Sequence, residues 1–309
     1  MPTAPRPADS PETGPRSAPI ARIAAGVDGY PEGRDAAALA SMIARAAGAE
    51  LMLVAVHPDP MVVLPAEIGW TGMRTEAQRV LRETRDAVAP GARLVVETDW
   101  SVPRALERVI QREHRDLVVV GSGRSGPDGH VRIGNRTRQL LSHSRCALAV
   151  APRGLSERPA RRLRRIGVGY DGAHESEAAL ALAGALAVSA GATLQVRAVV
   201  DDRLPMVGWQ SWTRDQVLAM WDELLAPQIA AQLERAQSAS EATGAEIEQV
   251  DLRRGRPADA LIELCQEVDL LVIGSRRWGE TARVLLGRTG EALMHDAPAP
   301  VLVVPRPEI

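Results

Sequence analysis

The 309-residue chain predicts an α/β fold: two tandem, doubly wound, five-stranded parallel-sheet domains related by a pseudo-two-fold axis. Three observations predict it. The chain repeats itself, each repeat alternates short apolar runs with helical patterns, and each places a glycine turn after its fourth apolar run. Ile23-Ala-Ala-Gly-Val-Asp28 corresponds to Ile166-Gly-Val-Gly-Tyr-Asp171 at an offset of 143, and residues 51–56 correspond to residues 194–199. The turns Gly121-Ser122-Gly123-Arg124 and Gly274-Ser275-Arg276-Arg277 recur at an offset of 153, so the second unit is ten residues longer between Val199 and Pro257. Strands that are apolar throughout are covered on both faces, and strands separated by helices pair in parallel.

In the first unit, residues 22–27 form an apolar strand closing on Asp28-Gly29. Residues 35–47 carry Leu39, Ile43 and Ala46-Ala47 at helical spacing and stop at Gly48, a favoured helix C-terminus. Residues 51–56 are a second buried strand, ended by His57-Pro58. Residues 75–88 place Val80, Leu81 and Val88 at helical spacing before Pro90-Gly91, and residues 93–98 are strand-like. Ser101 suits an N-cap and Pro103 the first turn of a helix whose apolar face is Ala105, Leu106, Val109 and Ile110. Residues 117–120 give the fourth strand, 136–142 a helix and 147–151 the fifth strand.

The second unit repeats this order, with strands at residues 166–170, 193–200, 246–251, 270–273 and 301–304. Pro227 is expected to kink or divide its long middle helix. Both fifth strands are apolar and fall at a sheet edge, so they are expected to pack against each other and cover their unpaired backbone groups. Residues 1–19, rich in proline and without an apolar core, read as a disordered tail. Residues 20–152 and 164–305 read as the two domains and residues 153–163 as a linker. The arginine run across residues 153–165 could touch phosphate or nucleic acid; a solvated linker is the simpler reading.

Composition removes several classes of function. A hydrophobic content of 45% lets each unit bury a core, and a net charge of −2 draws the chain towards neither nucleic acid nor an anionic membrane. Cys146 and Cys265 lack Cys-x-x-Cys spacing, which argues against a disulfide framework and for a reducing cytoplasm. No apolar run reaches the roughly 20 residues of a membrane span. The chain has no lysine, since all 37 basic residues are arginine. That excludes a P-loop lysine, a Schiff base and a lysine general base. His57, His114, His130, His143, His174 and His295 lack ligand spacing, so no metal site is expected. Asp201-Asp202 reads as a solvated loop. Met206, Trp209, Trp212, Met220 and Trp221 read as core, with some covering a cleft or the surface between the units.

The residues that carry chemistry lie at strand ends. Asp28 and Asp171 close the first strands; Gly121 with Gly134, and Gly274 with Gly287, flank the loop after the fourth strand. In a doubly wound sheet the carboxyl ends of the first and fourth strands meet at a topological switch point, where ligands bind. An aspartate there can accept from a nucleoside hydroxyl or amino group. Loop N–H groups and a helix N-terminus can bind phosphate. Val56 and Val199, at the second-strand ends, can offer backbone groups to an adenine edge. One glycine turn is as often structural as functional; two copies at fixed spacing favour the functional reading.

At these residues the chain resembles the universal stress protein family in its tandem form. The family carries Val-Asp-Gly-Ser after strand one, a valine closing strand two, Gly-x2-Gly-x9-Gly-(Ser/Thr) after strand four, and a fifth strand such as Cys-Pro-Val-Leu-Val-Val. Here these become Val27-Asp28-Gly29-Tyr30, Val56, Gly121 to Gly134-Asn135 and Cys146-Ala-Leu-Ala-Val, then Tyr170-Asp171-Gly172-Ala173, Val199, Gly274 to Gly287-Arg288 and Pro300-Val-Leu-Val-Val. The resemblance implies the adenine nucleotide α-hydrolase-like fold, pairing through fifth strands, and ATP held by the aspartate, valine and glycine loop. It therefore assigns nucleotide contacts to Asp28, Val56, Gly121, Arg124, Gly134, Asn135, Asp171, Val199, Gly274 and Gly287, with no catalytic residue. Cys146 stands at the family's cysteine position and reads as a small buried hydrophobe.

The second motif glycine is Arg124 in one unit and Arg277 in the other, and the closing Ser/Thr is Asn135 and Arg288. An arginine replacing a glycine of positive φ is strained and crowds phosphates, whereas its guanidinium is also a good phosphate partner. Asn135 favours the first unit as the binding half. The leading expectation is a cytoplasmic regulatory module that binds ATP, with weak ATPase activity at most. A scaffold with both sites degenerate is one rival. An enzyme of the nucleotide α-hydrolase group is another, although Asp28-Gly29-Tyr30-Pro31 is not a pyrophosphatase loop. A homodimer of whole chains is compatible with this reading, though no residue argues for it.

Overall fold

The computed structural model describes residues 20–58, 66–159, 162–201, 214–275, 284 and 286–306. The first half runs β1 (Arg22–Val27), α1 (Pro31–Ala47), β2 (Glu50–His57), α2 (Ala66–Val88), β3 (Arg93–Thr98), α3 (Val102–Arg112), β4 (Leu117–Gly121), α4 (Asn135–His143) and β5 (Ala147–Ala151). The second runs β6 (Arg165–Tyr170), α5 (His174–Ala190), β7 (Thr193–Val200), α6 (Arg214–Glu241), β8 (Glu246–Arg254), α7 (Pro257–Cys265), β9 (Leu270–Gly274), α8 (Arg288–Asp296) and β10 (Val301–Val304). All ten strands form one sheet in the order β3-β2-β1-β4-β5-β10-β9-β6-β7-β8.

The apolar runs explain the two-sided burial. Alternate residues of β4 and β5 face opposite layers, and every residue of β5 is buried. One layer places Leu39 and Ile43 of α1, Leu81 of α2 and Leu180 and Leu186 of α5 against the sheet; the other places Leu106 and Val109 of α3, Leu140 of α4, Leu261 of α7 and Leu293 of α8. Each layer continues across the junction of the halves. That junction is β5 on β10, antiparallel, with Val150 opposite Val301, Ala149 opposite Leu302 and Leu148 opposite Val303. The expected fifth-strand pairing is present, and it merges two five-stranded sheets into one.

α1 ends at Gly48 as expected, with φ 65°, and α5 ends in the same way at Gly191, with φ 60°. Some bounds differ from expectation. α1 starts at Pro31 rather than residue 35, because a proline at the first helical position loses no hydrogen bond and has a suitable φ. α2 reaches back to Ala66 despite Gly69 and Gly72, so context overrides their poor helix propensity. α6 runs through the exposed Pro227 without being divided. The start of the expected linker is docked: Asp35 of α1 is buried and accepts from Gly154 N (2.8 Å), Ser156 N (2.7 Å) and Ser156 Oγ (2.7 Å). Those donors satisfy a buried carboxylate that would otherwise be costly. The expected tail, residues 1–19, lies outside the described residues.

Candidate functional site

β1 is flanked by both β2 and β4, so the sheet order reverses there, and a cavity of about 410 Å³ opens at that point. Asp28, Val56, Gly121, Arg124, Gly134 and Asn135 all line it. Between them they come from the ends of three strands and the start of α4. Part of its remaining wall is an apolar wedge of Val54, Val102, Pro103 and Leu106 between β2 and α3.

Asp28 is exposed, and its Oδ1 accepts from Tyr30 N at 3.3 Å across a turn in which Gly29 has φ 80°. Most of the carboxylate is therefore left facing the cavity. Gly134, also in the wall, is the N-cap of α4 with φ −91°, and no side chain caps the helix. A Cβ on Gly134 would meet nothing within 4 Å. The first-turn N–H groups of α4 thus face the cavity without a protein cap, which is where an anion is stabilised.

Gly121 has a different reason to be glycine. A Cβ there would lie 2.0 Å from the carbonyl oxygen of Glu32, and one on Gly274 would lie 2.4 Å from that of Glu175. These glycines let the first turns of α1 and α5 press on β4 and β9, a packing demand that stands without any phosphate. Arg124 is also relieved of the expected strain: among the described residues His114 alone, apart from glycines, has positive φ. Its guanidinium instead stacks on Tyr30, 3.3 Å from the ring centre.

The loop carrying Arg124 is braced from three sides. Ser122 Oγ donates to Ala151 O at 2.8 Å, tying the loop to β5. Arg153 Nη1 donates to Arg124 O at 2.8 Å and Gly126 O at 3.0 Å. The third brace comes from the other half: Val131 N donates to Ala297 O (2.7 Å) and Ile133 N to Met294 O (2.9 Å), at the end of α8. Val284 N returns the contact, donating to Ser144 O at 3.2 Å.

The second half builds the corresponding cavity, about 260 Å³, with Asp171, Val199, Gly274 and Gly287 in its wall beside Arg288 and Thr289. Asp171 Oδ1 accepts from Ala173 N at 3.0 Å, as Asp28 does from Tyr30. Arg277 lies outside the described residues, as do Asp202, Met206, Trp209 and Trp212 and the side chains of His143, Met220 and Trp221. A feature not anticipated from the sequence is Arg197, which lines this cavity although its side chain is 3% exposed. The repeat offset of 143 places it against Val54, so aligning the halves residue by residue would have found it.

Cys146 and Cys265 are both buried and unpaired. Burial pushes their thiols up, to about 11 and about 12 respectively, partly offset for Cys146 by its hydrogen bond with Ser144. Among the described residues there is no cluster of His, Cys, Asp and Glu able to hold a metal ion, and no helix long and apolar enough to cross a membrane.

The sequence profile of the universal stress protein family matches the chain twice, over residues 19–152 and 162–305. A universal stress protein of Mycobacterium bovis is 28% identical over 234 residues, 74% of this chain and 77% of the relative. One from Thermus aquaticus is 29% identical over 141 residues, covering 44% of this chain and 93% of its own length, so it matches a single half. Among solved structures, a universal stress protein from Archaeoglobus fulgidus superposes with a TM-score of 0.63 at 18% identity, over 93% of this chain and 97% of that one. At that identity the likeness concerns the fold.

Proposed function

We propose that this chain, which belongs to the universal stress protein family, is a cytoplasmic regulatory module whose first half binds adenine nucleotide, ATP foremost. One observation carries the reading. Residues far apart in sequence, Asp28, Val56, Gly134 and Asn135, converge on one cavity whose wall also holds an apolar wedge and an uncapped helix N-terminus. A nucleotide combines an apolar base with anionic phosphates. Its volume of about 410 Å³ falls within the range of about 300–1,000 Å³ typical of small-molecule sites.

In this reading the adenine occupies the wedge of Val54, Val56 and Leu106. Asp28, left largely free by its single weak backbone contact, accepts from the ribose hydroxyls. The phosphates meet the α4 N-terminus, with Arg124 and Arg136 at the rim of the cavity supplying charge. Arg124 suits this role because it lines the cavity and its stack on Tyr30 restrains the guanidinium without backbone strain. No residue is assigned to hydrolysis, and the module acts by presenting its bound or empty state to a partner.

Purified chain analysed by absorbance and mass spectrometry for retained nucleotide, then titrated with ATP by calorimetry, tests the reading. Binding that weakens in Asp28→Ala supports it. No binding of ATP, ADP or AMP would leave the scaffold reading in its place.

A further inference from the structure

The floors of the two cavities differ at one register position. Val54 of β2 lies opposite Gly26 of β1 and Val95 of β3. At the equivalent place Arg197 of β7 lies opposite Gly169 of β6 and Asp251 of β8. Two apolar residues of the first half have become an ion pair in the second. Arg197 Nε and Nη2 donate to the two carboxylate oxygens of Asp251, each at 3.0 Å. Its Nη1 donates to Ala260 O of α7 at 3.1 Å, and Glu267 lies 3.8 Å from Nη2.

This guanidinium lies between β7 and α7, the counterpart of the space between β2 and α3 that forms the apolar wedge in the first half. The leucine side chain of α7 also reaches closer to the sheet: a Cβ on Gly169 would lie 2.9 Å from Leu261, whereas one on Gly26 would lie 3.4 Å from Leu106. The cavity falls from about 410 to about 260 Å³. Pushing Arg197 aside would break its fork-to-fork pair; Asp251 would keep Arg253 at 3.2 Å and Gln249 at 3.3 Å, but the nearly fully buried guanidinium would lose its carboxylate, which is strongly unfavourable. A planar, uncharged purine has ring acceptors but no carboxylate to replace that partner.

We propose that Arg197, locked by Asp251, is a specificity-determining plug that keeps adenine out of the second half, so that each chain carries one nucleotide, in the first half. The proposal rests on the nucleotide reading of the first cavity. It makes the duplicated chain functionally asymmetric: one half binds, and the other stays in one fixed state while bracing the first half's loop through Ala297 and Met294.

Native mass spectrometry at saturating ATP, on the full chain and two variants, tests it. The wild type should hold one ATP per chain, and Gly134→Val, which fills the open space at the first α4 N-terminus, should remove it. Transplanting the plug, Val54→Arg with Val95→Asp, should weaken ATP binding by about 100-fold or more in a titration. Two ATP per wild-type chain, ATP retained in Gly134→Val, or transplant affinity within about three-fold of wild type would each overturn the proposal. The wild-type stoichiometry decides even if the transplant does not fold. Absence of ATP from every sample would instead remove the nucleotide reading, and this assignment with it.

Discussion

The guanidinium of Arg124 lies flat against Tyr30, its central carbon 3.3 Å from the ring centre, and so joins the loop after β4 to the turn after β1. Arg124 lines the first cavity, and both residues of the stack are exposed. An arginine that replaces a motif glycine is here a positioned cation rather than a distortion. A stack of this kind at an exposed site contributes about 0.5–1 kcal/mol, enough to favour one rotamer over many.

That arrangement predicts the outcome of Arg124→Gly. Removing the guanidinium should weaken ATP binding by about 1.5–3 kcal/mol, the range for a charge-assisted hydrogen bond, and leave the fold intact. Tyr30→Ala should weaken it less, by releasing the side chain without deleting its charge. Calorimetric titration of both variants checks this, and higher affinity in Arg124→Gly would identify Arg124 as a block.

Gly121 and Gly134 should respond in opposite ways. Gly121→Ala drives a methyl into the backbone of Glu32, so thermal unfolding should show a loss of about 1–3 kcal/mol or more. Gly134→Ala meets open space at ordinary φ, and its stability should change by about 1 kcal/mol or less. Its ATP affinity should nonetheless fall, because the new methyl projects into the cavity. Equal melting temperatures for the two variants would contradict this division of roles.

The β5–β10 junction should behave as shared core. Leu302→Asp would bury a charge opposite Ala149 within an apolar layer. The chain should lose several kcal/mol and unfold as one unit rather than half by half. A calorimetric scan with one half melting at its wild-type temperature would contradict this.

The two thiols should be inert in the folded chain. With pKa values pushed to about 11 for Cys146 and about 12 for Cys265, both are protonated at neutral pH, and both are shielded. A colourimetric disulfide reagent should titrate neither at pH 8 and both in denaturant. Rapid modification of either without denaturant would show the burial to be wrong.

Much of the fold was legible because a parallel sheet covered on both faces writes itself as short uninterrupted apolar runs, and the duplication wrote it twice. The fifth-strand junction followed from the same logic, since two apolar edges need cover. Helix starts were less legible: Pro31 and Gly69 oppose or obscure the helical period, and tertiary packing settles them. For the site, strand-end position sufficed to collect Asp28, Val56, Gly134 and Asn135 around one cavity. The reasons for individual glycines were not legible. Gly121 and Gly134 look alike in a motif, yet one abuts backbone and the other faces open space. Tyr30, Arg153 and the bonds from Val131 and Ile133 to the other half depend on distances that no local pattern encodes.

The most direct test of the central claim is an ATP titration of the full chain beside Asp28→Ala, with melting temperatures recorded for both. The Asp28 carboxylate accepts from Tyr30 N at a long 3.3 Å, so its loss should hardly change stability. The account predicts saturable binding by the wild type, weakened by about 1–3 kcal/mol in the variant at an almost unchanged melting temperature. Equal affinity in the two proteins, or no binding by the wild type, would contradict it.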